Sequence, residues 1–220
     1  MLSRTKLVGG AVLAAAALSL AACSNSEQAS SGTGTTAAPT TSTTTSAKAA
    51  MGNGVTTPAD VFGPACGQLP QGDAPGGLTA MGPQPVATAA STNPLLTKLV
   101  AAVGAVPGLV DTLNSTDNLT VFAPADPAFA ALGDAKFAEL AGNPTMLAPI
   151  LQYHVVAKRY DATGLQAAKT LKSLNATGGD LKIEGSGSNL TVNGAKVLCG
   201  NIPTKNATVF VIDKVMLPAA

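Results

Sequence analysis

The stretch "LTVFAPADPAFAAL", Leu119–Leu132, carries the decisive pattern of the chain. Leu119 to Ala123 is an apolar run of strand type, Pro124 turns it, and Asp126 with Pro127 behind it reads as the cap of a short helix. Upstream, "NPLLTKLVAAVG" reads as an amphipathic helix. Asn93 is its expected cap, Pro94 its first position and Gly104 its stop, with Leu95, Leu96, Leu99, Val100 and Val103 on one stripe. After about Thr170 the pattern changes. The runs "TLKSL", "DLKIE", "NLTV", "KVLC" and "TVFVIDKVML" are short and β-type, separated by Gly, Asn and Ser, and they predict a small mixed or antiparallel sheet. Thr208 to Ile212 is almost continuously apolar and is expected as a central strand covered on both faces. The folded part thus reads as helices first and strands later.

Between these regions lies "MLAPILQYHVV", Met146–Val156, with the only histidine of the chain. Met146, Leu147, Ile150 and Leu151 form an apolar stripe that His154 extends, so the imidazole is expected to face the core with its nitrogens hydrogen-bonded. A catalytic histidine needs a nucleophile or carboxylate within reach in a cleft. The chain contains no G-x-S-x-G elbow, P-loop, G-x-G-x-x-G, H-E-x-x-H or C-x-x-C. Asp126 and Asp213 read as a helix cap and a strand-end acceptor. The expectation is a protein without catalysis, cofactor or metal.

Leu119–Leu132, "LQYHVV" (Leu151–Val156) and "NATVFVIDKVML" (Asn206–Leu217) together resemble the first box, the Tyr-His box and the second box of a fasciclin-type domain. The resemblance covers about 86–218, with Tyr153, His154, Asp126 and Asp213 at motif positions. It implies the α+β class, a single domain with a wedge of short strands and packed helices, and extracellular adhesion or matrix contact without catalysis. Two residues depart from the pattern: Ala125 stands where the first box usually has Thr, and Pro149 is expected to interrupt the helix that leads into Tyr153.

The N-terminus speaks to location. Met1 to Lys6 are cationic, Leu7 to Leu20 form an apolar run too short to span a bilayer, and small residues follow, as in an export signal. "LAAC", Leu20–Cys23, resembles the bacterial lipobox, in which the signal (here 1–22) is removed and the cysteine is acylated. Ordinary cleavage with an incidental Cys23 is the alternative. Residues 23–57 are Ser-, Thr-, Ala- and Gly-rich without aromatic residues, so they are expected to stay a disordered tether before a domain at 58–220. Thr40, Thr41, Thr43, Thr44 and Thr45 are candidates for O-linked sugars, with a bare linker as the alternative. The Asn-x-Ser/Thr triplets at Asn114, Asn118, Asn175, Asn189 and Asn206 read as unoccupied beside a bacterial export signal. This layout resembles the surface lipoprotein antigens of mycobacteria and related actinobacteria.

With Cys23 assigned to lipid, Cys66 and Cys199 remain in an exported chain and are expected to pair, whereas a metal site lacks further ligands. Removal of Arg4 and Lys6 leaves eleven basic against twelve acidic residues, which argues against a nucleic-acid partner. The expected function is a membrane-anchored adhesion or interaction module of the bacterial envelope, facing outward, with a protein, glycan or lipid partner. The alternatives are a carrier binding an apolar envelope lipid or small ligand in a groove of the wedge, and a purely structural envelope protein.

Overall fold

Two strands of strongly β-prone residues make the centre of the molecule. In the computed structural model, which describes residues 54–218, β1 (Leu119–Pro124) and the late strand β7 (Ala207–Ile212) lie side by side and parallel. Between them in sequence come β2 (Val155–Val156), β3 (Thr170–Lys172), β4 (Asp180–Glu184), β5 (Thr191–Val192) and β6 (Ala195–Pro203). The sheet order is β2-β1-β7-β6-β5-β4-β3, and every neighbouring pair other than β1 and β7 is antiparallel. The sheet is therefore mixed.

All residues of β1 and β7 are buried, and alternation sends them to two cores. Leu119, Val121, Ala123, Ala207, Val209 and Val211 join a core built with helices, whereas Phe122, Phe210 and Ile212 join a second one. The first core is covered by α1 (Leu78–Met81), α2 (Val86–Thr92), α3 (Thr97–Ala105), α4 (Leu109–Ser115), α5 (Asp126–Leu132), α6 (Asp134–Ala141) and α7 (Pro144–Tyr153). The second is closed by α8 (Ala162–Ala168) together with the apolar residues of β3, β4 and β5. Such two-sided cover explains why β7 is a continuous apolar run and not an alternating one.

Four expectations are corrected. Asn93 does not cap α3. Its side-chain oxygen accepts from Leu95 N at 3.0 Å and its carbonyl from Leu96 N at 3.2 Å, a turn that delays the helix to Thr97. Gly104 lies inside that helix, not after it. Pro149 does not interrupt α7, which runs through it to Tyr153. The carbonyl of Thr145, deprived of its helical donor, belongs to an exposed residue that water can satisfy. Finally, the folded part begins before residue 58: Gly54 and Thr56 are buried, with the Gly54 carbonyl accepting from the Thr208 hydroxyl at 2.7 Å. Gly54 has φ +72°, and a Cβ there would stand 2.4 Å from the Arg159 carbonyl carbon, so only glycine permits this approach. The signal segment, Cys23 and Thr40 to Thr45 lie outside the described residues.

Candidate functional site

His154 sits at the end of α7, is 2% exposed, and has both ring nitrogens engaged by backbone. Nε2 accepts from Met216 N at 2.9 Å, and that donor fixes the tautomer, so Nδ1–H donates to Ile150 O at 2.8 Å. Burial pushes its pKa down to about 4, which keeps the ring neutral. Its own carbonyl accepts from Phe122 N at 2.8 Å. One residue thereby ties β1, α7 and the segment after β7, and no ring nitrogen remains to bind a metal or move a proton. Tyr153 points into the second core, where its hydroxyl accepts from Asn193 Nδ2 at 2.7 Å and holds the turn between β5 and β6.

Asp126 caps a helix other than its own. Oδ1 accepts from Lys98 N at 2.8 Å and Oδ2 from the Thr97 hydroxyl at 2.5 Å, both in the first turn of α3, while Asp126 N donates to Leu95 O at 2.9 Å. A carboxylate there satisfies orphan amide donors and complements the helix dipole. Asp213 pairs across the sheet with Lys196, its carboxylate accepting from Lys196 N at 2.7 Å and its amide donating to Lys196 O at 3.0 Å. Ala125, in place of the usual Thr, is 3% exposed and packs into the first core. Cys66 and Cys199 form a disulfide with Cα atoms 5.0 Å apart.

Sequence reasoning passed over Arg159. It is 8% exposed, lies between β2 and α8, and faces acceptors that are all neutral. Nε donates to the Thr208 hydroxyl at 3.0 Å, Nη2 to Thr204 O and Ala207 O at 2.8 Å each, and Nη1 to Lys205 O at 3.3 Å. Burial lowers its pKa, and the guanidinium stays charged because carbonyl dipoles replace lost water. On the neighbouring strand the Thr120 hydroxyl donates to Lys158 O at 2.7 Å and accepts from Tyr160 N at 2.9 Å. These two threonines are the polar positions of otherwise apolar strands, and that interruption was the available signal. Three of the Asn-x-Ser/Thr triplets are structural as well: Asn206 Nδ2 donates to Leu113 O at 2.7 Å and Thr116 O at 2.6 Å, Asn175 Nδ2 to Pro149 O at 3.0 Å, and Asn114 Oδ1 accepts from Ala87 N at 3.0 Å.

A largely apolar recess lies between α2, α3, α4 and the sheet. It measures about 270 Å³, with Val121, Val155, Leu151 and His154 at its base. A second recess of about 230 Å³ adjoins it, sharing Leu109, Leu113 and Val155.

The arrangement is a scaffold of buried hydrogen-bonded clamps with an apolar recess, without a cluster of reactive groups among the described residues. The fasciclin domain family matches residues 94–218, more than half of the chain, and the chain belongs to that family. It is 39% identical over 182 residues to the immunogenic protein MPB70 of Mycobacterium bovis, covering 78% of this chain and 91% of the relative. It is also 39% identical over 171 residues to the cell surface glycolipoprotein MPB83 of the same species, covering 74% of each. A shorter match, 39% over 122 residues, joins 56% of this chain to 17% of the transforming growth factor-beta-induced protein ig-h3 of Sus scrofa.

Proposed function

We propose that this protein is a non-catalytic interaction module displayed on the outer side of a bacterial cell envelope and held there by acyl chains on Cys23. The observation that carries the reading is the presence in one chain of a fasciclin domain and the Leu20–Cys23 box. The similarity to MPB83, a cell surface glycolipoprotein, supports the location. Sugars on Thr40, Thr41, Thr43, Thr44 and Thr45 belong to the same proposal. Commitment of both His154 nitrogens to backbone supports the absence of catalysis. Two or three acyl chains hold a protein firmly, since each buried methylene contributes about 0.8 kcal/mol. The contact itself falls to the surface of the wedge, with a protein or glycan partner.

The test has two arms. Wild-type protein should enter the detergent phase, carry an acyl mass on Cys23 and accept a membrane-impermeant label on intact cells, while Cys23→Ser should appear unprocessed or released. Partitioning that does not change in the variant, with no acyl mass on the wild type, removes the anchor. In the second arm the released protein is titrated against immobilised envelope polysaccharides and matrix glycoproteins. Saturable binding to at least one is expected, and none across the panel leaves a structural envelope protein.

A further inference from the structure

We propose that the recess between α2, α3, α4 and the sheet is a binding site for a single linear aliphatic chain, a fatty acid or lipid tail. The lining shows what such a site admits. The lining includes core residues that keep slight exposure, Leu109 8%, Val121 8%, Leu99 6% and Leu113 6%, against 0% for Leu119 in the same strand as Val121. The cavity thus reaches from the surface to the central strand of the molecule. Its polar side chains are few, Thr88, Ser91 and His154, and are mostly committed elsewhere. The Ser91 hydroxyl donates to Thr88 O at 2.7 Å, and both nitrogens of His154 are used. The Ala87 and Thr88 amides both donate to Asn114 Oδ1.

A water molecule needs two to four polar partners and finds none on this floor, and a peptide backbone would leave its amides unsatisfied there. The size, about 270 Å³, exceeds the roughly 150 Å³ apolar cavity that accepts benzene and approaches the lower end of small-ligand sites. The adjoining recess of about 230 Å³ shares the lining residues Leu109, Leu113 and Val155, and an occupant that uses both is long and thin, not compact. Val110 at the first recess and Leu174 at the second are exposed large apolar residues, 38% and 39%, which suits a chain entering from solvent. The polar head of the ligand stays outside.

The site is independent of any surface partner. The occupant is the tail of a free envelope lipid, with its chain entering from solvent past Val110. The full chain carrying Cys23→Ser, labelled at its methyl groups, is titrated with hexanoate, octanoate and decanoate and followed by NMR. Shifts should move at Leu99, Leu113, Val121 and Val155, and affinity should rise about fourfold per added methylene, the factor equivalent to about 0.8 kcal/mol. Val121→Phe, which fills the floor, should remain folded and bind at least tenfold more weakly. Should that variant fail to fold, Gly104→Leu on the rim replaces it, because a Cβ at Gly104 meets nothing within 4 Å.

The source is read separately. A fatty acid or lipid extracted from the secreted Cys23→Ser protein identifies a free ligand. No lipid in the secreted Cys23→Ser protein, together with decanoate binding by that variant but not by the acylated wild type in nanodiscs, would overturn a free lipid as the occupant. Methyl shifts confined to other residues, affinity independent of chain length, or wild-type affinity in the folded, filled variant would overturn the site.

Discussion

His154 shows what the fold asks of a single side chain. The ring must be neutral, since Nε2 accepts from Met216 N at 2.9 Å, and a pKa held at about 4 by burial keeps it so. An unfolded histidine titrates near 6.5. Between pH 6.5 and 4 the unfolded chain binds a proton that the folded one refuses, so the contribution is complete above about pH 6.5 and shrinks as pH falls. Over that window the loss amounts to about 3 kcal/mol. Urea unfolding at pH 7, 6 and 5 should show a steeper decline for wild type than for His154→Ala. At pH 7 the variant should be less stable by about 2 to 4 kcal/mol. A gap between the two that does not narrow toward pH 5 would contradict the neutral clamp. Arg159→Lys should cost about 2 to 3 kcal/mol at neutral pH, because one ammonium cannot reach the four acceptors of the planar fork. Guanidinium melts of the two proteins check it. The burial of His154 was legible from the apolar stripe around it. Its partner was not, because Met216 is 62 residues away and the bond depends on how the strands stack.

At the scale of elements, the hydrophobic periods that the sequence displays correspond to real helices and strands, and the differences arise where side chains reach between them. Thr208–Ile212 announced a doubly covered strand by its continuous apolarity, and both cores meet there. Asp126 had the residue type and place of a helix cap, yet its carboxylate serves α3, whose start at Thr97 lies 29 residues earlier. Local pattern gives a cap without an address, since the address depends on the packing of α5 against α3. Asp126→Ala should therefore weaken α3 more than α5. The expected loss is about 1 to 2 kcal/mol. Amide exchange should accelerate at Lys98 and through the first turns of α3 while the amides of α5 keep their protection. Faster exchange confined to α5 would return the cap to its own helix. Pro149 teaches the reverse lesson, for a breaker by composition is tolerated where the freed Thr145 carbonyl meets water.

The whole molecule is closed from its N-terminal side. Residues before the fasciclin match at 94 are stitched onto β6, β7 and the turn between them: Phe62 bridges to Gly200, Asn201 Nδ2 donates to Asp60 O at 3.0 Å, and Lys205 N donates to Gln84 O at 2.9 Å. A Cβ on Gly200 would lie 2.5 Å from the Phe62 ring, so the glycine admits that contact. Among these links the Cys66–Cys199 bond is covalent and spans 133 residues. Ion pairs add little, since Lys98–Asp134 and Lys172–Asp180 are exposed pairs. In the chain-entropy account, closing a loop of this length removes about 5 kcal/mol of unfolded-state freedom. For a domain of this size that corresponds to a fall of roughly 10 to 20 °C in melting temperature on reduction. The Cys66→Ser, Cys199→Ser double variant should melt with the reduced wild type, and dithiothreitol should leave it unchanged. Because the bond fastens the N-terminal segment to β6, exchange in the reduced protein should quicken first at 54–85 and last in β1 and β7. A melting temperature indifferent to reduction, or uniform acceleration across the sheet, would show that the remaining contacts hold that segment without the bond.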